Sequence, residues 1–157
     1  MTPESLGALV ASIAADPAAW QPRVRLPRRN EQRWWTCLSA NALVDVWLLS
    51  WLPGQATDLH DHGRSAAAFV VVRGKLAEVR VDAGGRWSRH ARETGDRTSM
   101  PPGLVHDVHG AGVGPAVSIH AYSPPLRCMT FYDRDADGRL CAVRSVATEE
   151  PELEPVG

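Results

Sequence analysis

Near the N-terminus the apolar residues Leu6, Leu9, Val10 and Ile13 fall at i, i+3, i+4 and i+7, the stripe of an amphipathic helix. Thr2 as N-cap and Pro3 at the first helical position start it, and Asp16-Pro17 marks its end. The arginine-rich stretch 23–33 has no apolar period and reads as a solvated linker. From Trp34 onward the pattern changes to short runs of β-branched and aromatic residues, at 44–51, 67–72, 75–81, 117–122 and 128–132. Ala83-Gly84-Gly85 and the segment 110–115 punctuate them as turns. Many short strands at this spacing predict an all-β sandwich or barrel behind one short helix. The expected division is a helical segment at 1–22, a barrel at 23–146 and a frayed or disordered acidic tail at 147–157.

Composition narrows the function classes. The 157 residues carry 44% hydrophobic and 22% charged side chains, enough for one buried core. A net charge of −1 provides no field to recruit nucleic acid or an anionic membrane, so neither partner is expected. No run approaches a membrane span, and the N-terminal stretch lacks the basic region of a signal peptide. Cys37, Cys128 and Cys141 are odd in number and far apart, which fits free thiols in a reducing cytoplasm.

The chemistry is concentrated in histidines. His60 and His62, one residue apart on a strand, point to the same face and form a bidentate metal grip. Gly54, His60-x-His62, Ala67 and Gly74 match in order and spacing the first motif of the cupin barrel, with Ala67 in place of its glutamate. Gly95, Pro101-x-Gly103 and His106 match the second, with Gly110 where asparagine is usual. The resemblance implies a single double-stranded β-helix, jelly-roll-like, with His60, His62 and His106 on one metal ion. Further on, Ser118, His120 and Tyr122 alternate along a run and share a face, either as a satisfied polar network or as a relay beside the metal. Trp47 and Trp51 share a face and read as core, while His90 and His109 read as ordinary surface or turn residues.

His60-Asp61-His62-Gly63-x-Ser65, the single His106, and Ser118-x-His120-x-Tyr122-Ser123-Pro124-Pro125 together resemble the cysteine dioxygenase family over roughly 34–132. That resemblance implies non-haem Fe(II) on the three histidines and a small thiol, L-cysteine first, bound through sulfur. Both atoms of O2 would be added to give a sulfinic acid. It also implies Tyr122 beside the iron, Ser118 and His120 holding that tyrosine, and a cis peptide before Pro124.

The sequence departs from the family at two places. Ala67 stands where mammalian members carry a cysteine crosslinked to the tyrosine. The family's Tyr-x-Arg, whose arginine clamps the substrate carboxylate, is absent; Trp34-Trp35-Thr36-Cys37 occupies that strand. Arg33, Arg64 and Arg127 are the candidate anchors, with Trp34 and Thr36 beside them as candidate substrate contacts. Arg33 stands an odd step from Thr36, on the opposite face of a regular strand. The open alternatives are a mercapto acid such as 3-mercaptopropionate as substrate, a non-catalytic metal-binding cupin, and a cupin enzyme of other metal chemistry. A monomer or small homo-oligomer is expected.

Overall fold

A computed structural model describes residues 1–151. One helix, α1 (Pro3–Ala14), is followed by two short 3₁₀ turns and eleven strands. The strands are β1 (Trp34–Ala40), β2 (Asp45–Trp51), β3 (His60–Asp61), β4 (Ala66–Arg73), β5 (Lys75–Val81), β6 (Trp87–Glu93), β7 (Arg97–Met100), β8 (Val105–Gly110), β9 (Ala116–Ser123), β10 (Cys128–Arg134) and β11 (Leu140–Ala147). They form two antiparallel sheets, ordered β1-β2-β9-β4-β7 and β11-β10-β3-β8-β5-β6. Face to face, these make the barrel expected from the strand pattern. Thr2 caps α1 through its side chain, accepting from the Ser5 N–H at 3.2 Å.

Two cores explain why β2 and β9 lack a hydrophobic alternation. Between the sheets lie Trp47, Leu49, Trp51, Phe69, Val71, Leu76, Met100, Val108, Met129 and Phe131. On the other face of the first sheet, Val46, Leu48, Ala68, Val70, Ile119 and Ala121 pack against Leu6 and Val10 of α1. Every residue of β2 and β9 is therefore buried, whichever way it points. Polar side chains on their inner face are enclosed, not solvated. No helix among the described residues is long and apolar enough to cross a membrane.

Gly110 tolerates no side chain, because a Cβ there would collide with the Leu52 carbonyl. Its own backbone bonds Gly54 and Gln55, tying β8 to the loop that leads into β3. That close approach accounts for glycine where the cupin motif usually has asparagine. β8 itself runs through His109 and Gly110, so His109 is a strand residue and not part of a turn.

Three further strands were not expected. β6 and β11 are mostly exposed, and β7 is only four residues long. At the C-terminal end Thr148 donates its N–H to the Arg127 carbonyl, and Glu150 accepts from the Trp35 indole at 3.2 Å. Residues 148–150 of the expected tail are thus pinned to the barrel, while 152–157 lie outside the described residues.

Candidate metal centre

β3 is only two residues long, yet it sits between β8 and β10 and places His60 directly opposite both His106 and Phe131. Asp61 turns the other way and fixes the segment. Its carboxylate accepts from the Gly63 N–H at 2.8 Å and from the Tyr132 hydroxyl at 2.7 Å. Burial and this carboxylate push the Tyr132 phenol up to about 12. His60 and His62, flanking Asp61, both point into the barrel.

The three imidazoles form a near-regular triangle, with ring centres 4.7, 4.9 and 5.1 Å apart. One ring nitrogen from each lies within 4.8 Å of the other two, and all three residues are buried. His60 Nδ1 lies 2.9 Å from the Asp58 carbonyl, which only accepts, so that nitrogen carries the proton and Nε2 presents its lone pair. His106 Nδ1 faces Oε1 of Glu78 at 3.1 Å and is fixed the same way. The Nε2 atoms of His60 and His62 are 3.2 Å apart, a separation that requires a proton or cation between them. His106 Nε2 is buried with no hydrogen-bond partner among the described residues. Such an atom is costly unless a ligand meets it. Burial holds the His60 and His62 rings well below the usual imidazole range, so they are neutral and able to donate. Neutral imidazoles aimed at one buried point suit a borderline transition metal, and the residues fit the ion that the motifs implied.

Tyr122 and its neighbours pack against the triad. Its ring centre is 4.9 Å from that of His62, and the residue is buried. His120 stacks on Phe69 at 5.0 Å and is held down to about 3 by burial, with the nearby His106 and Arg33 adding to the effect. It is therefore neutral. Ser118 Oγ meets His120 Nε2 at 2.8 Å and accepts from the Trp51 indole at 2.9 Å. The Ser123–Pro124 peptide bond is cis.

The anchors separate clearly. Arg33 shares the inward face with Trp35 and Cys37, both packed on the inner core. Its guanidinium carbon lies 5.0 Å from the centre of the Trp51 ring, and it donates to the Ala56 carbonyl. With Asp58, Met129, Phe131 and Arg144 it lines a cavity of about 370 Å³ beside the triad. The parity that set Arg33 opposite Thr36 is the parity that turns it inward. Trp34 instead packs on the outer core, and Thr36 accepts from Arg23 at 3.2 Å, so the structure brings neither to the triad. Arg64 is exposed. Arg127 is exposed and paired with Glu149.

Sequence reasoning missed Glu78. Its carboxylate is fully buried beneath His106 and receives Arg80 Nε at 2.8 Å and Arg92 Nη2 at 2.6 Å. Burial alone would raise it, but the His106 ring and the Arg80 guanidinium pull it down to about 2. The available signal was parity: Glu78 shares a face with Leu76, an inner-core residue.

A two-sheet barrel that converges three histidines on one buried point defines a metal-binding cupin. The chain belongs to the cysteine dioxygenase type I family, which it matches over residues 3–135. Cysteine dioxygenase type 1 of Rattus norvegicus is 24% identical over 142 residues, covering 83% of this chain and 70% of the relative. The Danio rerio enzyme is 25% identical over 148 residues with the same coverage. Among solved structures, TT1209 from Thermus thermophilus aligns with a TM-score of 0.58 at 19% identity, covering 66% of this chain and 92% of its own. A double-stranded β-helix protein from Klebsiella pneumoniae aligns at 0.55 and 15%, covering 78% and 97%. These two similarities concern the fold. Family membership makes the chain an enzyme of the thiol dioxygenase class with a three-histidine metal site.

Proposed function

We propose that this chain is a non-haem Fe(II) dioxygenase that converts a small thiol, L-cysteine first, and one O2 into the sulfinic acid. The observation that carries the proposal is the convergence of three buried imidazoles, with a buried tyrosine packed on His62 and an arginine over the Trp51 ring. When bound by His60, His62 and His106, ferrous iron would supply adjacent open positions for sulfur and oxygen and favour the thiolate.

The protein's own groups do the rest. Arg33 offers a guanidinium to the substrate carboxylate, and its stacking on Trp51 limits where that charge can sit. Tyr122, beside His62, has a phenol that can donate to or accept from the reacting atoms, with its ring oriented by the Ser118–His120 pair. Phe131, whose ring centre is 5.9 Å from that of His60, screens the site from water. Holding thiol and oxygen together in that space supplies proximity. The enzyme would work in the cytoplasm, as a monomer or small homo-oligomer.

A second reading, a mercapto-acid dioxygenase, is favoured by two cations, Arg33 and Arg144, on the same cavity. Asp58 and Glu31 on the same walls keep an amino thiol first. Oxygen uptake by the ferrous protein should be fastest with L-cysteine, slower with 3-mercaptopropionate and slowest with cysteamine, which lacks a carboxylate. Preference for 3-mercaptopropionate would select the second reading, and no uptake with any thiol would end both.

A further inference from the structure

Glu78 stands apart from the other carboxylates of this chain. It is on β5, has no exposed surface, and is the diagonal cross-strand neighbour of His106, since Val108 pairs with Glu78 and His106 with Arg80. Both of its oxygens are occupied. Oε1 takes His106 Nδ1 at 3.1 Å and Arg80 Nε at 2.8 Å. Oε2 takes Arg92 Nε at 2.9 Å and Nη2 at 2.6 Å. Both guanidiniums are steadied in turn by Thr98 Oγ1, which accepts from Arg80 Nη2 and, at 3.3 Å, from Arg92 Nη2.

A carboxylate buried for stability alone would be satisfied by the two arginines. Here a third donor is the ring that must present Nε2 to the metal, and that Nε2 has no partner among the described residues. His60 takes the equivalent restraint from a backbone carbonyl, which is neutral and which no side-chain change can remove. Of the ligands His60 and His106, only His106 leans on an ionised side chain, and a carboxylate behind an imidazole both fixes its tautomer and raises its donor strength. Because no carboxylate joins the three histidines among the described residues, this is the charge through which they most directly offset the metal's.

We infer that Glu78, clamped by Arg80 and Arg92, is the positioning residue that holds His106 in its Nδ1-protonated form and sets the strength of the metal site. The inference rests on the reading of His106 as a ligand, and its two measurements separate the two ideas. In metal-free protein, ¹⁵N shifts of the His106 ring should show Nδ1 protonated and Nε2 bare. Cobalt(II), titrated by its visible absorption, should bind Glu78→Gln about 10- to 100-fold more weakly than wild type. Glu78→Asp should recover part of that loss. A purely structural Glu78 would lower the thermal midpoint of the metal-free variant and leave its cobalt affinity unchanged, which overturns the inference. Wild-type His106 protonated at Nε2 also overturns it, and this decides the matter alone should Glu78→Gln fail to fold. If wild type takes up no cobalt, the ligand reading fails, and the ring shifts still report whether Glu78 dictates the tautomer.

Discussion

Ala67 on β4 and Tyr122 on β9 are direct cross-strand partners, and both belong to the inner core. The alanine therefore sits where a longer side chain would meet the tyrosine ring, the position at which mammalian members of the family carry their crosslinking cysteine. With alanine there, Tyr122 has no thiol opposite it and stays unmodified.

Restoring the sulfur tests that register. Ala67→Cys, incubated with ferrous iron, L-cysteine and oxygen, should lose about two mass units as a Cys–Tyr bond forms and two hydrogens are removed, since directly opposed Cβ atoms lie about 4.5–5.5 Å apart. Intact-protein mass spectrometry reads the change. An unshifted mass after many turnovers would mean that position 67 and Tyr122 are not juxtaposed.

Arg33 is expected to set affinity for the carboxylate. Losing one charge-assisted contact, worth about 1.5–3 kcal/mol, should raise KM for L-cysteine and 3-mercaptopropionate roughly 10- to 100-fold in Arg33→Ala. KM for cysteamine should be nearly unchanged. Equal effects on all three thiols would assign Arg33 a structural role.

Ser118 links two parts of the inner core. Ser118→Ala strands the Trp51 indole N–H, now bonded at 2.9 Å, inside the barrel. That should cost about 1–3 kcal/mol in urea unfolding. With the 2.8 Å contact to His120 also gone, turnover should fall while iron content stays at the wild-type level. Reduced iron content would place Ser118 in metal retention instead.

Acid should destabilise the metal-free protein. The folded values of His60, His62 and His120 all lie below the ordinary 6.5, chiefly through burial, so the unfolded chain binds more protons as pH falls beneath it. Stability is then greatest above that value and declines below it, by up to about 4 kcal/mol per pH unit for three such groups. Glu78, ordinarily at 4.5 and here at about 2, extends the loss in the same direction through that lower window. Urea unfolding between pH 7.5 and 4.5 measures the slope, and a flat profile would show that these rings are not buried in neutral form.

The sequence made the ligands legible because metal geometry forces a spacing. His60-x-His62 needs only the two-residue strand period, and Pro101, Pro102 and Gly103 precede His106 at the spacing of the second cupin motif. Trp47 and Trp51 proved to be core, as two aromatics on one strand face suggest. For Glu78 parity with Leu76 put the residue on the inner face, but nothing local says that Arg92 and Thr98, on other strands, enclose it. β11 was missed for a different reason. Although it opens on Leu140-Cys141-Ala142-Val143, it is mostly exposed and takes its place by pairing with β10. For Arg33 the face was readable from parity, but that this face looks toward Trp51 and the inner core depends on how β1 packs across β2.

The most direct test of the account uses isotopically labelled oxygen. Ferrous protein supplied with L-cysteine and ¹⁸O₂ in unlabelled water should yield a sulfinic acid four mass units heavier than the unlabelled compound, one mole for each mole of O2 consumed. Product carrying one label or none, or oxygen consumed with only disulfide formed, would contradict thiol dioxygenation by this site.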